Sequence, residues 1–398
     1  MSAVTEIIGE FPELLAAAPA DVILVVFGLI ALVVLFLIKF MGYFRIIITI
    51  AQFTYPNALV TVRGNPLLSE EHIDRIIASR DIAEAVSEAQ RAGIDVGTGE
   101  APSAGEIEQA LKTLYHTECD TLEAVAPESV KPLFRAYCMT EEVDELKHAI
   151  RMKHAGHPPE KTEGTLIPVG SLTPDLVRKM REARSVDDLV ALLGATPYGE
   201  ALSGALQHYH DLQIPLPLEL ALDRFTFGEL QAALLIIDAE HFRPAQEFVG
   251  AYVDTTNIRI LLRAKRDLLD AETVVQYLLP GGSRLSAPAL KTMAESKTLQ
   301  ELLGDLDALQ LHSAINEAIS SSGRTGSLIP LEAALDLYLL ETVLDLSTIY
   351  RYGPGPLIRF LVARKIEIRN LGIILRGIEG AAPGGTIRDL TVRERVRG

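Results

Sequence analysis

Apolar residues step by three and four along Asp254-Thr-Thr-Asn-Ile-Arg-Ile-Leu-Leu-Arg-Ala-Lys265 and just past it: Ile258, Leu261 and Leu262, then Leu268 and Leu269. That spacing gathers them on one stripe of a helix and turns Arg259, Arg263 and Arg266 to the other side. The pattern returns near the C-terminus as Glu367-Ile-Arg-Asn-Leu-Gly-Ile-Ile-Leu-Arg-Gly-Ile378. At one constant offset, Asn257 then matches Asn370, Leu261 and Leu262 match Ile374 and Leu375, and Arg263 matches Arg376. A weaker copy, Glu145-Leu-Lys-His-Ala-Ile-Arg-Met-Lys153, precedes the first by almost the same interval, with Arg151 and Lys153 where Arg263 and Lys265 stand. One amphipathic, arginine-bearing segment used three times predicts three copies of a helical unit. No stretch alternates in the manner of a strand, so the whole chain is expected to be all-α.

A different pattern stands at the N-terminus. Residues 22–38 form an unbroken apolar run of 17, of which 15 are Val, Ile, Leu or Phe. Val22, Phe27, Leu32, Phe36 and Ile38 mark a helix at the short end of what spans a bilayer. Each such residue near the centre favours insertion by roughly 0.3–0.6 kcal/mol. The preceding residues are acidic (Glu6, Glu10, Glu13, Asp21), unlike a secretory signal. Lys39 and Arg45 follow the run, which predicts that the bulk of the chain lies on the cytoplasmic side of the plasma membrane. A buried core helix has the same composition, but an N-terminal flanking helix has little core to hide in. The stretch from Tyr43 to Phe53 is expected to continue the helix or lie at the interface.

Pro56, Gly64 and Pro66 then punctuate a boundary. The expected organisation is an anchor segment over 1–53, and repeats over 54–165, 166–278 and 279–398, the last with the C-terminal tail. Each repeat opens on a capped helix, at Ser69, Thr173 and Ser286, with Pro174 and Pro288 in the first turn. A second short helix follows each, starting at Asp81, Ser185 and Thr298. The middle of the second repeat, Pro217-Leu-Glu-Leu-Ala-Leu-Asp-Arg-Phe225, recurs at the same offset as Pro330-Leu-Glu-Ala-Ala-Leu-Asp-Leu-Tyr338. Its counterpart in the first is Ile107-Glu-Gln-Ala-Leu-Lys-Thr-Leu-Tyr115. Linkers are expected at His157-Pro-Pro, Leu279-Pro-Gly-Gly and Ser320-Ser-Ser-Gly-Arg-Thr-Gly326, and a helix stop at Gly380.

With 398 residues, 48% of them hydrophobic, the chain can build a sizeable core. A net charge of −16 disfavours nucleic-acid binding, which needs a basic surface. Cys119 and Cys138 are too few for a disulfide framework; they suggest a reducing compartment and two small buried hydrophobes. No Gly-x4-Gly-Lys-Ser/Thr cradle is present, and Gly353-Pro-Gly-Pro356 lacks the N–H groups that a phosphate needs. His208-x-His210 and His154-x2-His157 fit surface or linker histidines better than a metal site. Glu141-Glu142 and Asp187-Asp188 are expected at helix starts, where the dipole favours acids. No catalytic, cofactor or metal set emerges. The candidate contact residues are Arg151, Asn257, Arg259, Arg263, Asn370 and Arg376. Their arginines either face a partner or cavity, or pair with acids between repeats, as Arg259 with Asp254 or Arg369 with Glu367.

Tyr55-Pro-Asn-Ala-Leu-Val-Thr-Val-Arg63, Asn257-Ile-Arg-Ile-Leu-Leu-Arg-Ala-Lys265 and Glu367-Ile-Arg-Asn-Leu-Gly-Ile-Ile-Leu-Arg-Gly377 together resemble the C-subunit family of V/A-type ATPases (ATP synthases), equivalent to the d subunit of eukaryotic V-ATPases. The resemblance covers roughly Tyr55 to Val392. It implies a non-enzymatic rotor part: three similar helical subdomains in a funnel of pseudo-threefold symmetry, with no nucleotide site. The axle, made of the D and F subunits, would enter the wide mouth, and the proteolipid ring of the membrane would lie beneath. The resemblance implies a peripheral protein, whereas residues 22–38 predict a span. A rotating part with its own span has to travel with the ring, threading its pore or lying along its inner wall. Composition and the anchor also fit a membrane-tethered helical-repeat scaffold for other cytoplasmic partners.

Overall fold

The computed structural model describes residues 19–94, 103–157, 166–325 and 327–393. Among them the regular structure is entirely α-helical. The acidic residues Glu6, Glu10 and Glu13 and the end of the charged tail lie outside the described residues.

Two compact units divide the chain, one up to Gln52 and one from Phe53 to Gly398. The described part of the first belongs to α1 (Ala20–Arg63). Val22, Phe27, Leu32, Phe36 and Ile38 are all exposed. The rings of Phe36, Phe40 and Phe44 stack in a ladder at four-residue spacing. By length and composition α1 is able to cross a membrane. Pro56 does not break it, contrary to the boundary expected there; the helix ends only at Gly64, whose φ of +78° suits glycine. A proline costs one hydrogen bond to the preceding turn. Here Pro56 is itself buried, as are Phe53 and Val60, so packing offsets that cost.

The second unit holds the remaining helices, which follow one another as three sets in chain order. Its first set is α2 (Glu70–Ile77), α3 (Ile82–Arg91), α4 (Ala104–Val125) and α5 (Lys131–His154). The second set is α6 (Pro174–Glu182), α7 (Val186–Leu193), α8 (Gly199–Leu212), α9 (Leu216–Ile236) and α10 (Ala239–Arg266). After the short α11 (Ala271–Tyr277) comes the third: α12 (Ala287–Glu295), α13 (Leu299–Ala308), α14 (Ser313–Thr325), α15 (Ile329–Ile349) and α16 (Gly355–Glu379). The Ser-rich tract expected as a linker is helical as far as Thr325, inside α14. Gly380 caps α16, but a further turn of helix, α17 (Gly384–Leu390), follows it.

The caps form where the sequence puts them. Ser69, Thr173 and Ser286 accept from the backbone of His72, Leu176 and Ala289. Asp81, Ser185 and Thr298 do the same for the second helices. Each satisfied N-terminal donor is worth about 1 kcal/mol.

The apolar stripes then decide the packing. The closing helix of each set buries its stripe against the set that follows it, not only against its own. In the first, Leu146 and Ile150 of α5 share a core with Val177 of α6, Leu189 of α7 and Leu222 of α9. α10 packs on α12, α13 and α15 in the same manner. α16 returns to the first set, against α2, α3 and α4, which closes the circuit.

Candidate partner-binding cavity

Six long helices, α4, α5, α9, α10, α15 and α16, wall a cavity of about 560 Å³. Its lining includes seven carboxylates and seven Lys or Arg side chains, so it is charge-balanced although the chain carries −16. The negative excess therefore lies elsewhere on the molecule.

Cations of each closing helix meet acids of the next set. From α5, Arg151 reaches Glu219 of α9 at 3.0 Å, and Lys147 pairs with Asp223. From α10, Arg259 bridges Glu332 (3.0 Å) and Asp336 (2.6 Å) of α15. From α16, Arg376 reaches Glu108 of α4 at 2.5 Å, and Lys365 reaches Glu141 of α5 at 3.3 Å. Arg263 turns to Glu219 within its own set, at 3.0 Å, on the same oxygen that Arg151 uses. Arg259 therefore does not pair with Asp254, nor Arg369 with Glu367; Arg369 sits against Asp336. Residues at positions i and i+2 of a helix do not face each other, which forbids the second pairing.

Burial tunes this lining. Burial opposes the charge of Lys112, but Glu145, Glu141 and Glu108 outweigh it and hold the ammonium well above its usual value. Lys365 behaves alike, with Asp144 and Glu141 outweighing burial. Arg369 is lowered to about 10, by burial first and then by the neighbouring Arg259 charge. His148 is lowered by burial and by the surrounding Arg151, Lys112 and Arg376 charges.

Behind the ion pairs lies a second layer of contacts, made to backbone groups and hydroxyls. Asn257 Nδ2 donates to the Leu279 carbonyl and its Oδ1 accepts from the Leu279 N–H, both at 2.8 Å. Asn370 repeats this with Val392, at 2.8 and 2.9 Å. At the matching place of the first set, Glu145 accepts from the Ile167 N–H at 3.3 Å. Three residues before each of these is an acid beside the opening of the next set. Asp254 accepts from the N–H groups of Arg284 (2.8 Å) and Leu285 (3.1 Å), just before the Ser286 cap. Glu142 accepts from Ser171 Oγ at 2.6 Å and from Tyr198 OH at 2.8 Å. Gly282 and Gly170 lie so close to these carboxylates that a Cβ would collide with them. Glu367 occupies the third such place, with the Leu68 backbone as its donor side, yet neither buried oxygen makes a bond of good geometry. Burial raises its carboxyl to about 7.

The expectation that Glu141-Glu142 opens a helix is corrected: both are buried in the middle of α5 and belong to these contacts. Asp187 and Asp188 do stand in a first turn. The histidines do not converge: His208 bonds Tyr277, His210 meets Asp187, and His154 bonds Tyr209. Cys119 and Cys138 are joined in a disulfide, contrary to the expected free thiols. The antiparallel α4–α5 hairpin turns near Pro127 and brings their Cα atoms to 6.2 Å. Their near-equal distance from that turn was the signal. The acids Glu219 and Glu332, and Asp223 and Asp336, were missed as site residues although the recurring Pro217 and Pro330 segments contain them.

These contacts define an all-α protein whose helices close on one another around a charged cavity. A family model described as ATP synthase (C/AC39) subunit matches residues 56–390, and the chain belongs to that family. The C subunit of the A-type ATP synthase of Methanosphaera stadtmanae is 30% identical over 350 residues, covering 87% of this chain and 89% of the relative. Its counterpart in Methanocaldococcus jannaschii is 27% identical, covering 85% and 86%. That of Pyrococcus horikoshii is 25% identical, covering 87% and 92%.

Proposed function

We propose that the chain is a non-catalytic central-stalk rotor component of an A-type ATP synthase, joining the axle, made of the D and F subunits, to the proteolipid ring of the membrane. Torque would pass through it in ATP synthesis driven by ions or in ion pumping driven by ATP. The three repeats would form a funnel of pseudo-threefold symmetry, its cytoplasmic mouth receiving the axle. The observation that carries this reading is the circuit of six helices around a cavity whose charges are spent on one another. Charges paired across neighbouring helices stiffen that circuit, as a part that transmits torque requires. Arg151, Asn257, Arg259, Arg263, Asn370 and Arg376 would keep the circuit closed while load passes through it. The chain would sit at the plasma membrane, with the apolar helix over residues 22–38 spanning it once.

The test is a mild-detergent pull-down of the C-terminally tagged chain from its native membranes, with partners identified by mass spectrometry. Axle and proteolipid subunits are expected in the eluate. Their absence, with unrelated cytoplasmic proteins in their place, would favour a membrane-tethered scaffold instead.

A further inference from the structure

The place where the N-terminal helix joins the repeats carries an inference about what surrounds that helix. Residues 53–63 of α1 belong to the second unit and touch all three sets. The Phe53 ring packs edge-on against His241 of α10, with centroids 4.9 Å apart. Asn57 Nδ2 donates to the carbonyls of Arg351 and Gly353, in the turn between α15 and α16, at 3.2 Å each. Arg63 lies 3.9 Å from Glu118 of α4. Residues 53–63 are thus tied to all three sets and not to one of them alone.

The apolar helix itself has no polar side. Phe27 and Phe36 are nine residues apart, which at about 100° per residue places them on opposite faces. They are 58% and 64% exposed. A helix that leans one face on a protein and shows the other to water would carry a polar stripe. This one suits apolar surroundings on every side. Residues 22–38 extend about 25 Å at 1.5 Å per residue, close to the roughly 30 Å of a hydrocarbon core.

We infer that this helix occupies the central pore of the proteolipid ring and that the inner wall of the ring is its partner; this rests on the rotor reading above. A span continuous with residues 53–63 turns with the sets that hold those residues. Inside the pore it turns with the ring and obstructs nothing, whereas in lipid outside the ring it would be swept into the stationary membrane parts. The helix would then serve as an axial pin, adding an apolar contact to whatever the repeats make above the membrane.

Benzoylphenylalanine introduced separately at Phe27 and at Phe36 of the full-length chain, followed by irradiation of native membranes and purification through the C-terminal tag, tests this. Adducts to the proteolipid are expected from both positions, because the wall surrounds the helix. If the ring co-purifies but one or both positions label only lipid or another membrane protein, the pore placement is overturned while the rotor reading stands. If no ring co-purifies, both fall.

Discussion

Asn257 holds Leu279 by both of its backbone groups, and Asn370 holds Val392 in the same way. Each pair ties a closing helix to the chain 22 residues beyond it, inside the core. Replacing Asn257 by Ala strands a buried N–H and a buried carbonyl, each costing about 1–3 kcal/mol. Asn257→Ala should lower stability by on the order of 3 kcal/mol, seen as a drop in the denaturant midpoint with an unchanged slope. Asn257→Asp should lose at least as much, because it keeps the acceptor but turns a buried carboxylate toward the Leu279 carbonyl without the cation that Lys112 supplies to Glu145.

Arg151 and Arg263 share one oxygen of Glu219, which is 5% exposed. Either arginine alone can neutralise it. Arg151→Ala and Arg263→Ala should therefore each cost no more than about 1 kcal/mol. The double variant leaves a buried, unpaired carboxylate and should cost about 3–5 kcal/mol. A double-mutant cycle by chemical denaturation measures the excess. Strict additivity would mean that Glu219 has another source of compensation.

Glu367 predicts a pH dependence. Its carboxyl is pushed by burial from an ordinary 4.5 up to about 7, against the weaker pull of the Leu68 backbone and the Arg364 charge. Between those values the folded chain keeps a proton that the unfolded chain has released. Stability contributed by this group is thus full at the acidic end, falls as pH rises to about 7, and levels off above that. Glu367→Gln should flatten this part of the stability profile and raise stability at about pH 8 by on the order of 3 kcal/mol. Thermal melts across the weakly acidic to weakly alkaline range check both.

The Cys119–Cys138 bond closes a loop with a sequence separation of 19. Loop-closure entropy for that length gives about 3 kcal/mol. Melting temperature should fall when the protein is fully reduced, and Cys138→Ala should abolish the difference between reducing and oxidising buffers. Equal melts for the native chain in the two buffers would mean that the α4–α5 hairpin needs no staple.

Much of this architecture was legible in the chain. The three-and-four spacing of Ile258, Leu261 and Leu262, its return at Leu371, Ile374 and Leu375, and the caps at Ser69, Thr173 and Ser286 are local features, and local chemistry suffices to form them. The pairing of Arg259 was not legible. Asp254, a little over one turn back on its own helix, looked a plausible partner, whereas Glu332 and Asp336 are 73 and 77 residues away and become neighbours only once α10 lies against α15. The buried role of Glu141 and Glu142 was hidden for the same reason: adjacent acids signal a helix start unless a third element arrives to use them.

By itself the sequence determined the all-α class, the helix caps and the apolar run at residues 22–38, because hydrophobic spacing and capping act within a few residues. Only the tertiary structure decided which set each closing helix serves. α5, α10 and α16 each complete the core of the set that follows, with α16 returning to the first. The offset from Asn257 to Asn370 is the same whether neighbouring sets close on themselves or on one another, since periodicity records similarity and not contact. The choice was made by which apolar stripes and which charges could be buried together, and that depends on the whole chain at once.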